Sequence, residues 1–165
     1  MARILVAYAS KKGSTAEIAQ AIGKEIRTAG HFVDITEIKS VSSLNGYNAV
    51  VIGGPFYMGT VTDMGKFIGR YRGALIRLPV AAFAVGVAPL GKDPADKENA
   101  MKKLQQTLEP LTPVAMTIFA GKVDPSKLSW LQKWMTEKAK SPVGDFRDWT
   151  AIAAWARELP AKMGV

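Results

Sequence analysis

The chain has 165 residues, a net charge of +8 at pH 7 and no cysteine. Its length fits a single α/β domain covering residues 1–165, with room for a sizeable core. Because cysteine is absent, disulfides, thiol nucleophiles and cysteine-ligated iron–sulfur or zinc sites are excluded. The one histidine, His31, follows Gly30 at a predicted helix end, so we expect a structural or solvent-exposed role rather than a metal site.

The distribution of charge and hydropathy also limits the classes of partner. A basic chain can bind nucleic acid, anionic membranes or acidic proteins. The lysines and arginines are scattered and no helix resembles a base-contacting element, so we do not expect nucleic-acid binding. No apolar run is long enough to cross a membrane and the N-terminus lacks a signal-peptide core, which favours a cytoplasmic location.

The first predicted strand, loop and helix form the most informative stretch. Residues 4–8 are an apolar run with the length and β-branched character of a buried strand. Isoleucines at 18, 22 and 26 follow with the spacing of one helix face. Between them lies the loop SKKGST, in which Gly13 allows a close turn and Ser14 or Thr15 can cap the helix.

This loop has the composition of an anion site. Free N–H groups at a helix start converge there with the positive end of the helix dipole, and Ser10, Ser14 and Thr15 add hydroxyl donors. The Walker A motif and the dinucleotide-binding glycine motif are both absent. The loop therefore fits a phosphate monoester, and an ordinary strand–helix loop with a capping serine is the alternative.

The rest of the chain alternates between predicted strands and helices. Strands are predicted at residues 32–38, 49–54, 80–87 and 114–119, and the first of these alternates as a strand near a sheet edge does. Helices are predicted at residues 63–71, from Asp93 or Asp96 to Leu108, and from a cap at Asp148 to Leu159, with Trp149 on the apolar side of the last one.

This alternation predicts an α/β fold, a doubly wound five-stranded parallel sheet in the order 2-1-3-4-5 with helices on both faces. In that order the loops after strands one, three and four border one crevice. They are SKKGST, the aromatic PFYMG and the small GVAPLGK. A phosphate loop beside an aromatic loop suits a planar phosphorylated cofactor. The alternative is that Phe56, Tyr57 and Met58 only cover the core.

With these loops placed, the chain resembles the flavodoxin-like family, which binds FMN at these sites. The likeness is greatest to the branch that contains menaquinone-dependent protoporphyrinogen dehydrogenase and short archaeal and bacterial flavodoxins. It covers almost the whole chain and is visible in SKKGSTAEIA, YNAVVIGGPFYMG, FAGKVDPSKLSWLQKWM and DWTAIAAWAREL.

The resemblance implies which residues contact FMN. The first loop is expected to hold the phosphate, the second to lie along the isoalloxazine and ribityl chain, and the third to face the other side or edge of the ring. These residues are Ser10, Lys11, Lys12, Gly13, Ser14 and Thr15, then Pro55, Phe56, Tyr57, Met58 and Gly59, then Val87, Ala88, Pro89 and Leu90. The third loop departs from the family, since the aspartate- and tyrosine-bearing loop of typical flavodoxins is missing.

The charge is a second departure. Typical flavodoxins are acidic and keep the phosphate loop free of lysine, whereas this chain is basic and carries Lys11 and Lys12. A fully reduced flavin tends to become anionic, and nearby positive charge favours that form. We therefore predict a less negative potential for the second electron than in an acidic flavodoxin.

The third departure is an insert at about residues 126–141, between the fifth strand and the last helix. Leu128, Leu131 and Met135 form one stripe, which Trp130 and Trp134 widen. In the dehydrogenase a comparable insert is thought to meet substrate, quinone or membrane, and a basic amphipathic helix could do so here. The alternative is that the insert packs on its own sheet or on a second subunit in a homodimer.

The sequence leaves the choice between electron carrier and enzyme open. No nucleophile–base pair, carboxylate dyad or metal cluster is conspicuous, so no catalytic or metal-binding residue is assigned and an FMN electron carrier with an acidic redox partner is favoured. The alternative is a quinone-dependent protoporphyrinogen dehydrogenase-like enzyme of tetrapyrrole biosynthesis, peripheral to the membrane. NAD(P)H-dependent quinone reduction and a non-redox anion-binding module are the remaining readings.

Overall fold

The computed structural model describes residues 1–9, 13–57, 60–61, 63–86, 88–90, 93–123 and 144–165. Its strands are β1 Arg3–Tyr8, β2 Phe32–Glu37, β3 Ala49–Tyr57, β4 Thr60–Val61, β5 Val80–Gly86, β6 Ala115–Ala120, β7 Lys122–Val123 and β8 Gly144–Asp145. The helices are α1 Ser14–Thr28, α2 Met64–Leu75, α3 Pro94–Leu108 and α4 Trp149–Lys162. Short 3-10 turns cover Ile38–Ser40 and Ala88–Leu90.

The main sheet has the predicted order. Its five long strands run parallel as β2-β1-β3-β5-β6, which is 2-1-3-4-5 when the long strands alone are counted. Strand β2 lies at one edge, as its alternating pattern predicts. Strand β4 pairs antiparallel with the end of β3, and β7 pairs antiparallel with β8 in a separate ribbon.

Helices cover both faces of this sheet. On one face Ile18, Ile22 and Ile26 of α1 are fully buried beside Ile152 and Leu159 of α4. The other face carries α2 and α3, whose buried side chains include Met64, Phe67, Ile68, Leu104 and Leu108. Apolar residues at helical spacing thus produce both layers, because each stripe removes its side chains from water against the sheet.

One close contact fixes the centre of the sheet. A Cβ added to Gly53 of β3 would lie 2.1 Å from Cζ of Phe83, the fully buried phenylalanine of β5. The Phe83 ring also meets Trp155 of α4 edge-on, with 6.2 Å between the ring centroids. Glycine at position 53 is therefore required for this ring to occupy the space between β3 and α4.

Several boundaries differ from the prediction. Strand β3 continues through Pro55 to Tyr57, because pairing with β5 extends to Pro55 and β4 pairs with the last two residues. Helix α2 continues to Leu75, with a local break at Tyr71. Trp149 is 44% exposed, so its placement on the apolar side of α4 is wrong, whereas Ile152 and Leu159 of the same helix are buried. The predicted insert at 126–141 lies outside the described residues.

Candidate functional site

The predicted cofactor loops all start at the same edge of the sheet. Tyr8 at the end of β1 is in register with Gly53, and Pro55 is in register with Val85 of β5. The carboxyl ends of β1, β3 and β5 therefore lie side by side at the point where the strand order reverses. Six predicted contacts lie outside the described residues, namely Ser10, Lys11, Lys12, Met58, Gly59 and Val87.

The loop predicted to hold a phosphate ends at the N-terminus of α1. Gly13 is the N-cap residue, and its φ of 83° is a left-handed conformation that glycine adopts without strain. The N–H of Glu17 donates to the Gly13 carbonyl at 3.3 Å. The N–H groups of Ser14, Thr15 and Ala16 precede this first helical bond, so they are available to an anion at the positive end of the helix.

Neither Ser14 nor Thr15 caps the helix, so that prediction is wrong. No side chain caps α1 among the described residues. The Ser14 hydroxyl instead accepts from the Lys122 N–H at 3.0 Å and donates to the Lys122 carbonyl at 3.2 Å. Its proton is thus directed to β7, and the donor that Ser14 has left for an anion is its backbone N–H.

Thr15 provides the strongest indication of a ligand. Its side chain is 1% exposed, and its hydroxyl has no hydrogen-bond partner among the described residues. A buried hydroxyl without a partner costs about 1–3 kcal/mol. A phosphate oxygen at the N-terminus of α1 would accept from this hydroxyl and remove that cost, so the residues present fit a bound phosphate group.

An arginine that sequence reasoning did not single out holds this region together. The Arg147 side chain is 7% exposed and donates to Asp145 through Nε at 2.9 Å and Nη2 at 2.8 Å. Its Nη1 donates to Glu17 in the first turn of α1. The guanidinium also lies 4.7 Å from the centroid of the Trp149 ring.

The pKa values of this ion pair shift in the directions expected for such contacts. The side-chain hydrogen bonds from Arg147, followed by its backbone N–H, lower the pKa of Asp145 to about 2. The hydrogen bond to Asp145 raises the pKa of Arg147 above its ordinary value. The run Asp145–Phe146–Arg147 signals a local pair in the sequence, but nothing in it indicates Glu17, which is far away in the chain.

The other two loops also lie at this edge. Pro55 is buried and Phe56 is half-buried against the core on the α2–α3 face. A Cβ added to Gly86 would lie 2.8 Å from the Phe56 carbonyl oxygen, so the end of β5 approaches the aromatic loop closely. Tyr57 ends β3, and the 3-10 turn Ala88–Leu90 follows β5, with Pro89 and Leu90 half-buried.

The described residues show neither a metal site nor a membrane-spanning helix. Within the described ranges, no group of three or more potential metal-ligating side chains occurs. Over the same ranges, no helix has the length and apolar character needed to span a bilayer. His31 accepts a hydrogen bond at Nδ1 from the Ala2 N–H at 3.2 Å, which is a structural contact as predicted.

Comparison with known proteins identifies the family. A flavodoxin domain model matches residues 5–149. The chain is 22% identical to protoporphyrinogen IX dehydrogenase (quinone) of Escherichia coli over 174 aligned positions, covering 95% of this chain and 94% of the relative. Two solved structures share the fold at 17% identity. One is a flavodoxin from the domain Archaea, with a TM-score of 0.60 and 99% of each chain covered. The other is oxidised flavodoxin 2 from Bacillus cereus, with a TM-score of 0.61 and coverage of 99% of this chain and 98% of that chain. The chain therefore belongs to the flavodoxin family of flavin-dependent electron-transfer proteins.

Proposed function

We propose that this flavodoxin binds FMN and carries electrons between redox proteins. The observation that supports it most directly is the buried Thr15 hydroxyl without a partner in the described residues, beside the free N–H groups of α1. A phosphate monoester dianion accepts hydrogen bonds from such groups, and the helix dipole stabilises its charge. We assign the phosphate to the whole loop from Ser10 to Thr15, including Lys11 and Lys12.

The ring is assigned to the two other loops. We propose that Pro55, Phe56, Tyr57, Met58 and Gly59 lie along the isoalloxazine and ribityl chain, and that Val87, Ala88, Pro89 and Leu90 face its other side or edge. FMN supplies reversible one- and two-electron redox chemistry, while the protein binds it, excludes water and sets its electrostatic surroundings. The half-buried Phe56 and the small third loop suit a planar ring between them.

A phosphate-selective binding assay tests this assignment. In Thr15→Val the isosteric side chain keeps the packing and loses the hydroxyl. We expect its FMN affinity to fall about 10- to 100-fold, since a hydrogen bond to a charged group contributes about 1.5–3 kcal/mol. Its riboflavin affinity should stay within about twofold of wild type because riboflavin has no phosphate. Thr28→Val is the matched control, since Thr28 is exposed on the same helix and donates to Lys24.

Equal loss of FMN and riboflavin affinity in Thr15→Val would contradict the phosphate assignment. A wild-type protein that binds neither flavin in fluorescence titration would contradict the function itself and favour a non-redox anion-binding module.

The second candidate is a protoporphyrinogen dehydrogenase-like flavoenzyme. The full-length likeness to the Escherichia coli enzyme favours it, together with the Trp130 and Trp134 segment, which is proposed to contact quinone or the membrane surface. We place the carrier in the cytoplasm, and this alternative would add a peripheral membrane association. A homodimer in which the same segment packs on a second subunit is the other role proposed for it.

Photoreduction under anaerobic conditions distinguishes the two candidates. A protein that shows a flavin spectrum, takes up electrons on photoreduction and does not oxidise protoporphyrinogen would support the carrier. Steady oxidation of protoporphyrinogen coupled to a menaquinone analogue supports the enzyme, and activity should then fall in Trp130→Ala and Trp134→Ala. Activity that depends on NAD(P)H would favour a quinone reductase instead.

A further inference from the structure

Among the four described helices, α2 has the largest excess of basic over acidic residues. Lys66, Arg70 and Arg72 are exposed on the helix, Arg77 follows its last turn, and Lys39 lies in the 3-10 turn that packs against it. We call these five side chains the α2 face. The neighbouring described acids are the exposed residues Glu37 and Asp63, so the net charge of this region is clearly positive.

None of these five cations forms an ion pair within the described parts of the chain. The opposite face of the sheet differs, because Arg157 pairs with Glu25 at 3.0 Å and Lys162 pairs with Glu158 at 3.1 Å. The chain thus neutralises exposed cations on α4 with its own acids, whereas the α2 face keeps a charge that an external anionic surface can neutralise.

Helix α2, which carries most of the α2 face, is fixed in position. Its inner side chains Met64, Phe67 and Ile68 are buried against the sheet. The Tyr71 hydroxyl donates to the Val41 carbonyl at 2.7 Å and so ties the helix to the segment that follows Lys39. A partner would therefore meet a preformed arrangement of charges, which lowers the ordering cost of binding.

Three exposed glycines add a steric feature. Gly65, Gly69 and Gly73 are spaced four residues apart on α2, and a Cβ added to any of them would meet nothing within 4 Å. Glycine weakens an exposed helix relative to alanine, and no packing contact among the described residues requires it here. Bare backbone between cationic side chains allows another protein chain to approach closely.

We infer that the α2 face is the docking surface for an acidic redox protein. The inference rests on the proposed electron-transfer function and names where its partner binds. A second copy of this chain would bring like charges together. An anionic membrane is a poorer fit than a protein, because Ile76 is the one large apolar side chain exposed on this helix and its C-cap.

The position of α2 also suits electron transfer. Asp63, which precedes α2, lines a small crevice with Ala9 and Lys39 at the carboxyl edge of the sheet. The α2 face therefore begins beside the loops assigned to the flavin. A partner that docks against the first turns of α2, around Lys66 and Arg70, would lie beside that edge, whereas Arg77 lies at the far end of the helix, before β5.

Stopped-flow electron transfer from an acidic protein tests the docking surface. The probe is a reduced plant-type [2Fe–2S] ferredoxin, mixed anaerobically with the oxidised FMN-loaded protein. One electron leaves the cluster and enters the flavin, any proton comes from solvent, and no other bond forms or breaks. For the wild type we expect the second-order rate constant to fall at least tenfold between about 20 mM and 500 mM salt.

Two charge-reversal variants locate the surface. Lys66→Glu/Arg70→Glu should lower the rate constant at low salt about tenfold or more. Lys24→Glu/Lys162→Glu makes the same change in net charge on α1 and α4, and should lower it less than about threefold. At high salt the rate constants of the wild type and the two variants should become equal, because salt screens the charges. In addition, Gly69→Ala should raise Tm by about 2–4 °C while slowing transfer about three- to tenfold.

Each other outcome has a definite meaning. Equal slowing in both charge-reversal variants, with unchanged flavin binding and reduction by dithionite, would overturn the docking surface and leave the proposed function intact. A protein that binds no FMN would overturn both. If the wild type binds phosphatidylserine vesicles and only Lys66→Glu/Arg70→Glu loses this binding, the α2 face contacts a membrane. If the wild type is a dimer and only this variant is a monomer, the α2 face contacts a second copy. Either result would overturn the inference.

Discussion

Arg147 and Glu17 form an ion pair that joins the start of α4 to the first turn of α1. The same guanidinium is held by both carboxylate oxygens of Asp145 at the end of β8. One planar side chain therefore connects the β7–β8 ribbon to the helix whose N-terminus is assigned to the phosphate. Such a fork cannot be reproduced by an ammonium group, which lacks the planar donors.

Replacing Arg147 by lysine should loosen this connection while keeping the charge. We expect Arg147→Lys to lower Tm by about 2–6 °C and FMN affinity by about three- to tenfold. Arg157→Lys is the matched control, because Arg157 joins α4 to Glu25 of α1 by a single bond and its side chain is 66% exposed. Calorimetry and FMN titration measure both effects. Equal effects in the two variants would show that the buried fork has no special role.

The ion pair between Arg147 and Asp145 should make the free energy of unfolding depend on pH in the acid range. The ordinary pKa of Asp145 is 3.8, and the hydrogen bonds from Arg147 lower it to about 2 in the folded chain. A lowered carboxyl pKa means that folding favours the ionised form, so this contribution is present above about pH 4 and is lost as the pH falls towards 2.

Asp145→Asn tests this dependence. The difference in the free energy of unfolding between wild type and Asp145→Asn should be constant from pH 7 to about pH 5 and should shrink towards zero near pH 2. Urea denaturation at a series of pH values measures it. Asp96→Asn on the exposed side of α3 is the control, since Asp96 makes no ion pair within the described ranges. A difference that stays constant down to pH 2 would rule out the ion pair as the cause.

Local patterns were sufficient to predict the fold. The isoleucines at 18, 22 and 26 all lie in the core, and the apolar runs at 4–8, 49–54 and 80–87 lie within or largely coincide with strands. Short strands separated by amphipathic helices leave few alternatives to a doubly wound parallel sheet. The structure confirms the predicted strand order and the edge position of β2.

Contacts between distant residues account for what the sequence did not show. Glycine and proline at 53–55 favoured an early end for β3, but pairing with β5 and β4 carries the strand on to Tyr57. The Ser14 hydroxyl binds Lys122, a partner 108 positions away, instead of capping α1. Trp149 is a local exception, because it stacks on Arg147, two positions away, at the start of α4 and does not enter the core. Periodicity contains no information on such pairs.

Gly53 and Phe83 provide a steric prediction. In Gly53→Ala the new methyl group would overlap the Phe83 ring, and we expect a loss of about 2–3 kcal/mol in the free energy of unfolding. Phe83→Leu is smaller, so the double variant should lose less than the sum of the two single changes. Gly65→Ala is the control, because a Cβ there meets nothing, and it should stabilise by about 0.5–1 kcal/mol. Strict additivity in a denaturant series would contradict the contact.

A different prediction concerns Gly86 and the two loops assigned to the flavin ring. A methyl group at this position would push against the Phe56 carbonyl at 2.8 Å and displace the aromatic loop. Gly86→Ala should therefore weaken FMN and riboflavin binding by the same factor, about tenfold, in contrast to the phosphate-selective effect of Thr15→Val. Fluorescence titration with both flavins measures the ratio. A loss confined to FMN would place Phe56 away from the ring.

The last prediction concerns the charge around the flavin. The chain carries a net charge of +8, and the loop assigned to the phosphate contains Lys11 and Lys12. Positive charge stabilises the anionic, fully reduced flavin, so the potential of the second electron should be less negative than in acidic flavodoxins. Lys11→Gln/Lys12→Gln should lower this potential by about 20–50 mV at low salt, because it removes two positive charges from the loop assigned to the phosphate and so stabilises the anionic flavin less. Lys102→Gln/Lys103→Gln on α3 removes the same charge elsewhere and should shift the potential less.

Spectroelectrochemical titration at low and high salt measures the shifts, which should diminish as salt screens the lysines. A wild-type potential as negative as that of an acidic flavodoxin, or equal shifts in the two variants, would show that these lysines do not set it.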